Sequence, residues 1–328
     1  FLSGGIDSSL VTALASRKVK NLSTFSIGFK DDAHFDETEF ALEVAKKFNT
    51  NHHVFSLSRN DLLESLFETL DYIDEPFADS SALAVNALSR ETKKYVTVAL
   101  SGDGADEMFS GYHKHMGEYL MRQNGLKQKA VKKLSPLWSA LPKSRNSTLG
   151  NVFRKLDKFA TGSSLNKEER YWLWASLLNE ADAANLMLKT PQKQSYLKRK
   201  EEILATITKG TDFNDVLFTD VNLVLQSDML RKVDLMSMAN GLEVRTPFLD
   251  HELMNFAFSI PSNYKIDGQM KKKLVQDAAR DILPEMLYNR PKKGFEVPLG
   301  GWMRNELWSL IDNDLLSYQF IKSQNLFN

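Results

Sequence analysis

Over residues 1 to about 112, short β-rich runs and amphipathic helical runs take turns along the chain, and this alternation limits the fold more than any other feature. "LSTFSIGF" (22–29) and "NHHVFSL" (51–57) read as strands, and "YVTVALSGDG" (95–104) as a buried strand running into a Gly turn. "ETEFALEVAKKF" (37–48), "DLLESLFETLDYI" (61–73) and "ALAVNALSRETKK" (82–94) read as helices. Alternation of this kind implies a doubly wound α/β fold with a parallel sheet. In such sheets ligands sit beyond the carboxyl ends of the strands. Two polar, Gly-containing loops fall at such ends, one from Ser3 to Ser8 and one from Ser101 to Asp106.

The first loop is "SGGIDSS". Gly4 and Gly5 remove Cβ where backbone N–H groups must approach a ligand, and Ser3, Asp7 and Ser8 add side-chain oxygens around them. Leu10, Val11, Leu14 and Ala15 then line one helical face, which puts the loop at a helix N-terminus, a setting that favours phosphate. Asp7 would repel a bare phosphate, so its use there is to hold a Mg²⁺ that bridges phosphate oxygens. Equally, the stretch reads as a Gly/Ser turn with an Asp helix cap. Neither G-x-x-x-x-G-K-[ST] nor a G-x-G-x-x-G following a strand is present.

In "LSGDGADEMFSGY" the carboxylates Asp103, Asp106 and Glu107 lie within five positions and repel one another unless a cation or donor is shared. With Asp7 on the same rim, a Mg²⁺ site built by Asp7 and Asp106 around a pyrophosphate is the coherent reading. "GQMKKKL" offers a lysine at a helix start that can balance charge on a leaving pyrophosphate, though consecutive lysines point apart. In "SDMLRKVD", Asp228 and Arg231 are three apart, fit either for a surface ion pair or for a zwitterion. Glu243 and Arg245 share one side of an extended segment.

Residues 113–225 read as a helical insertion with basic runs, "KQKAVKK" and "YLKRKEEI", taken as solvated helix faces. Trp172 and Trp174 read as packing residues, and the pairs His52/His53 and His113/His115 as structural. Residues 226–328 form a helical part in which polar motifs return. The 42 basic and 42 acidic residues cancel, which gives no electrostatic case for a nucleic-acid or membrane partner. No cysteine is present, so disulfides and thiolate chemistry are excluded within these residues. With no apolar run near the roughly 18 residues of a spanning helix, the expectation is a cytoplasmic protein.

"SGGIDS" resembles the pyrophosphate loop of the N-type ATP pyrophosphatases, which follows the first strand of a parallel sheet. Phe1 and Leu2 are then the end of that strand, and the chain is expected to have lost its N-terminus. "SGGIDSS", "DEPFADSS", "ALSGDGADEMFSGY", "SMANGLEVRTPFLDHEL" and "KKGFEVPLGGWM", in this order, resemble the synthetase domain of glutamine-dependent asparagine synthetases.

The resemblance implies a five-stranded parallel sheet and a reaction in which ATP and aspartate give β-aspartyl-AMP and Mg²⁺-pyrophosphate, after which ammonia displaces AMP. Carried over by motif, Leu2, Ser3, Gly4, Gly5, Asp7 and Ser8 form the pyrophosphate loop, Asp7 and Asp106 hold Mg²⁺, and Lys272 contacts pyrophosphate. Ser26, Ile27, Gly28, Ser101 and Gly102 hold the adenosine, Asp103 stands where an acid serves the ammonia step, and Tyr112, Asp228 and Arg231 fall near the amino-acid site. It also implies a glutaminase domain as partner, carrying the catalytic Cys that this chain lacks, and a homodimer. The short bacterial enzymes carry a Thr-rich stretch near the position of "DEPFADSS" and a shorter insertion than 113–225, and the resemblance extends to longer paralogues with the present features that act on other carboxylates; such a paralogue, or a non-catalytic nucleotide-binding subunit, is the alternative.

Overall fold

The computed structural model describes residues 1–30, 36–75, 77–123, 125–144, 148–189, 193–210, 212–289, 297 and 299–328. Half of the "KKGFEVPLGGWM" motif, 292–296 and 298, lies outside them. The fold is mixed α/β, rich in helix, with small parallel sheets. Its residues divide into two compact units: one of Phe1–Phe109, Val221–Ile260 and Lys272–Asn305, the other of Ser110–Asp220, Pro261–Lys271 and Glu306–Asn328.

In the first unit, β1 (Ser23–Phe29) pairs in parallel with β2 (Asn51–Leu57), from Ser23 opposite Asn51 to Phe29 opposite Leu57. All of β1 after Ser23 is buried, the pattern of a strand covered on both faces. A second parallel pair joins β3 (Val98–Leu100) to β4 (Glu243–Arg245). β3 is shorter than the apolar run 95–104 suggests because its partner offers only three residues. The described strands thus form two pairs rather than one sheet of five. Between the pairs runs the start of the chain: the Leu2 amide donates to the Phe25 carbonyl at 2.8 Å, and the Phe1 nitrogen to the Leu100 carbonyl at 2.6 Å.

Helix α1 (Ile6–Ser16) follows directly. Leu2 and Ala13 pack with Ala41, Val44 and Ala45 of α2 (Thr38–Phe48) and with Ala279, Leu283 and Leu287. Helix α3 (Arg59–Asp71) opens on a capping box in which Ser58 and Asp61 satisfy each other's backbone amides. Helix α4 (Ser81–Lys93) is buried over most of its length and meets the helix Leu230–Met238 through Ala82, Val85 and Met236. Helix α5 (Ala105–Phe109) packs Ala105, Met108 and Phe109 on Phe248, Ala257 and Val275.

The second unit is helical and is organised by buried charge. Glu118 accepts from Arg170 Nε at 2.6 Å and from Trp174 Nε1 at 3.0 Å, and pairs with Arg122 at 3.0 Å. Asp220, fully buried, takes Lys114 and His115 at 2.7 Å each and the Tyr171 hydroxyl. One basic run departs from a solvated face: Lys200 of "YLKRKEEI" is buried and pairs with Glu169 and Glu180 at 2.8 Å. Helical periodicity turns one position of such a run inward, where only a paired charge is tolerated. Among the described residues no helix is long and apolar enough to cross a membrane.

Candidate active site

The loop before α1 is fixed by its own side chains and by its glycines. Ser3 and Ser8 share a hydroxyl hydrogen bond at 3.0 Å, the Gly5 amide donates to Ser3 Oγ at 3.2 Å, and Ser8 Oγ donates to the Gly5 carbonyl at 3.2 Å. Gly4 sits at φ +70°, and a Cβ there would lie 2.6 Å from Phe40 Cβ. Only glycine meets both demands. Gly5 is the N-cap residue of α1 and no side chain caps the helix, so its first amides face the loop without a side-chain acceptor.

The second loop comes down on the first at Gly102, where a Cβ would lie 2.9 Å from the Ser8 nitrogen and 3.0 Å from Asp7 Cβ. This contact brings Asp106 of α5 to Asp7. Lys272, only 6% exposed, joins them: its ammonium hydrogen-bonds Asp7 Oδ2 and stands 2.8 Å from Asp106 Oδ1. Burial alone would push the Lys272 ammonium toward neutrality, but the two carboxylates hold it charged and raise its pKa above the ordinary lysine value. Asp7 Oδ1 is buried and has no hydrogen-bond partner. Two apposed carboxylates, one with an unsatisfied oxygen, now neutralised by an ammonium, are a donor set that fits Mg²⁺, which takes one or two carboxylates plus phosphate oxygens. Among the described residues no group of three or more His, Asp or Glu side chains forms a self-sufficient metal site.

Asp103, half-buried beside this cluster, has its carboxyl pushed up by burial, with the charges of Asp106 and Asp7 adding to the shift and that of Lys232 opposing it. Ser26, Ile27 and Gly28 are buried in β1, and the Ser26 hydroxyl is bonded to the Leu2 carbonyl. The Ser101 amide donates to the Arg245 carbonyl at 2.9 Å, which places the second loop at the end of the β3–β4 pair. Arg231 is engaged by Asp74 and, at 3.1 Å, by Glu75, two exposed acids of the "DEPFADSS" segment. Asp228 is half-buried in the π-helical stretch Val221–Met229. Tyr112 belongs to the second unit, where its amide donates to His115 Nδ1 at 3.4 Å. A 250 Å³ cavity bordered by α1, β1 and β3, with Thr12, Phe25 and Leu100 in its wall, contains none of the predicted site residues.

One buried ion pair carries no mark in the sequence. Lys232 Nζ lies 2.7 Å from Asp79 Oδ2, and both are largely shielded from solvent. Burial would raise the Asp79 carboxyl, but the lysine and the Ser81 hydrogen bonds outweigh it and hold the group below the ordinary carboxylate range. Lys232 sits inside the charged string "LRKVD", and no local signal marks which of its charges turns inward.

The asparagine synthase family model matches residues 1–328. An asparagine synthetase (glutamine-hydrolysing) 1 of Bacillus subtilis is 31% identical over 319 residues, covering 95% of this chain and 48% of the relative. An asparagine synthetase (glutamine-hydrolysing) 3 of the same organism is 27% identical over 314 residues, 90% of this chain and 44% of the relative. An amidase of Penicillium rubens is 21% identical over 352 residues, 92% of this chain and 49% of the relative. The chain thus spans about half the length of the curated relatives it matches. Matched by that family model from its first residue to its last, and sharing close to a third of its residues with a named synthetase, the chain belongs to the asparagine synthase family.

Proposed function

We propose that this chain is the synthetase part of an ATP-dependent, amide-forming ligase: a carboxylate attacks the α-phosphate of ATP, pyrophosphate leaves, and ammonia displaces AMP from the acyl-adenylate. The observation that carries this reading is the convergence of Asp7, Asp106 and Lys272 beside an uncapped helix N-terminus. Adenylation needs its reactants held in line and the leaving pyrophosphate neutralised, and it needs no side-chain nucleophile.

In this reading Ser3, Gly4, Gly5 and Ser8 bind the pyrophosphate, and β1 backbone at Ser26–Gly28 with Ser101–Gly102 receives the adenosine. Asp7 and Asp106 would hold Mg²⁺, which supplies charge neutralisation to the phosphates. Lys272 then moves from its carboxylate partners to the pyrophosphate. Asp103, whose carboxyl is pushed up by burial, would take a proton from the attacking ammonia. Phe1 and Leu2, hydrogen-bonded to both strand pairs, would supply the fifth strand that unites them.

We infer aspartate as the carboxylate and a glutaminase part as the ammonia source, as the names of the B. subtilis relatives suggest. Occupation of Arg231 by Asp74 and Glu75 favours a second reading, a paralogue that adenylates another carboxylate. Pyrophosphate release from ATP and Mg²⁺, measured over a panel of carboxylates with and without ammonium, tests both. Release with aspartate and ammonium supports the first, release with a different acid supports the second, and silence with every acid contradicts the adenylating reading.

A further inference from the structure

Charge is balanced over the whole chain but not along it. Between residues 126 and 158 lie nine Lys or Arg and a single acid, Asp157, so the rest of the chain carries the compensating negative charge. This stretch belongs to the second unit and folds as three helices, α6 (Leu126–Lys133), α7 (Ser135–Ala140) and α8 (Thr148–Gly162), the first two packed on the third. We propose that the outer face of α6 and α7 docks the protein on an anionic lipid surface, its leucines inserted among the headgroups and its lysines over their phosphates. Such docking does not depend on the reaction proposed above.

α6 has two unlike sides. Gln128 and Val131 are half-buried, whereas Leu126, Ala130 and Leu134, at steps of four, form one row along the helix and are all exposed, Leu126 to 85%. Lys129, Lys132 and Lys133 are exposed along one flank of that row. Leu134 closes α6 and opens α7: its carbonyl accepts from the amides of Leu137 at 3.0 Å and Trp138 at 3.2 Å, and Trp138 Nε1 donates to the Val131 carbonyl at 3.0 Å. Leu137, also exposed, thereby extends the row by one turn while Trp138 is half-buried. On α8, Leu149, Val152 and Lys155 are exposed at steps of three, a second apolar row ending in a lysine.

The combination of residues selects the partner. Lysines alone would suit any polyanion, but a phosphate backbone has no use for exposed aliphatic side chains. None of the described aromatic rings of this stretch is exposed, so bases find no stacking platform in it. Lys132 and Lys133 also suit the C-terminal end of α6, but Lys129 and the leucine row owe nothing to that end. A solvated helix face accounts for lysines and not for a row of leucines. Both are rewarded at an anionic membrane interface, the leucines by burial at the acyl boundary and the lysines by attraction to headgroups. At eight and six residues, α6 and α7 are far too short to span a bilayer and would lie along it.

The test sediments the full chain with vesicles of phosphatidylcholine alone and of phosphatidylcholine mixed with phosphatidylglycerol, at low and at high salt. The wild type is expected to sediment with the mixed vesicles, far less with the neutral ones, and less as salt rises. Lys129→Gln/Lys132→Gln/Lys133→Gln should weaken binding about 100-fold. Leu126→Asn/Leu137→Asn, which keeps every charge, should weaken it about 10-fold or more; if that double variant does not fold, Leu126→Asn alone takes its place. No binding to the mixed vesicles, or equal binding to both kinds, overturns the proposal. So does a leucine variant that binds as the wild type does, and so does a preference for short duplex RNA over vesicles, which would assign the lysines to a nucleic acid.

Discussion

Lys272 occupies the left-handed backbone region, φ 52° and ψ 33°, immediately before the helix Lys273–Ala279. For a side-chain-bearing residue that conformation costs on the order of 1 kcal/mol, and it delivers the ammonium to Asp7 and Asp106. Replacing it with methionine leaves two carboxylates facing each other. Pyrophosphate release by Lys272→Met is expected to fall about 100-fold or more, and Mg²⁺ should raise the thermal midpoint of the variant more than that of the wild type, since no ammonium then competes for the carboxylates. Equal Mg²⁺ shifts in the two proteins would remove Asp7 and Asp106 from the metal assignment. Gly4→Ala imposes a positive φ on a Cβ that would sit 2.6 Å from Phe40 Cβ. Its unfolding midpoint in urea should drop by an amount equivalent to about 2 kcal/mol or more, whereas a change below the scatter of neutral surface variants would mean that the loop relaxes freely. The meeting of Asp7, Asp106 and Lys272 was only partly legible in the sequence: the first loop reads equally as a capped Gly/Ser turn, and the choice of the middle lysine of "KKK" came from the family resemblance, since consecutive helical lysines point apart. Asp79 and Lys232 were not legible, because a charge inside "FADSS" or "LRKVD" reads the same whether it faces solvent or a partner.

Elements were legible wherever periodicity was unopposed. β1, β2, α2 and α4 stand within a residue or two of their expected bounds because short runs rich in β-branched and aromatic residues and 3.6-residue apolar stripes mark strand and helix by different periods. β3 was overestimated, because strand length is set by pairing, and β4 pairs over only three residues. Burial of charge in the helical unit was equally invisible, since it depends on which helices meet. Lys265 shows the consequence. Its ammonium, fully buried, donates to Asn214 Oδ1 at 2.8 Å, and burial lowers its pKa to about 8, with Asp212 opposing the shift. The unfolded chain therefore binds more protons than the folded one between about 8 and the ordinary lysine value of 10.5. Stability of the wild type relative to Lys265→Met should accordingly rise as pH increases across that window. Thermal unfolding of both proteins from pH 7 to 10 measures the difference, and a pH-independent gap would show that Lys265 does not titrate there.

At the scale of the molecule, each of the two units is assembled from three separate stretches of chain. Continuous segments such as 1–112, 113–225 and 226–328 follow sequence order, while compactness follows contacts between residues far apart, as Asp7 and Lys272 illustrate with a separation of 265 positions. No cysteine occurs in these 328 residues, so turnover by this polypeptide is expected to run on ammonium and to be unresponsive to glutamine. Glutamine-driven amide formation by the purified chain would refute that expectation. The chemistry itself is tested most directly by the fate of the carboxylate oxygen. With ¹⁸O-labelled aspartate, ATP, Mg²⁺ and ammonium, attack on the α-phosphate must leave one labelled oxygen in AMP, with pyrophosphate as the other product. Labelled AMP is the predicted result, and ADP with labelled inorganic phosphate would contradict it.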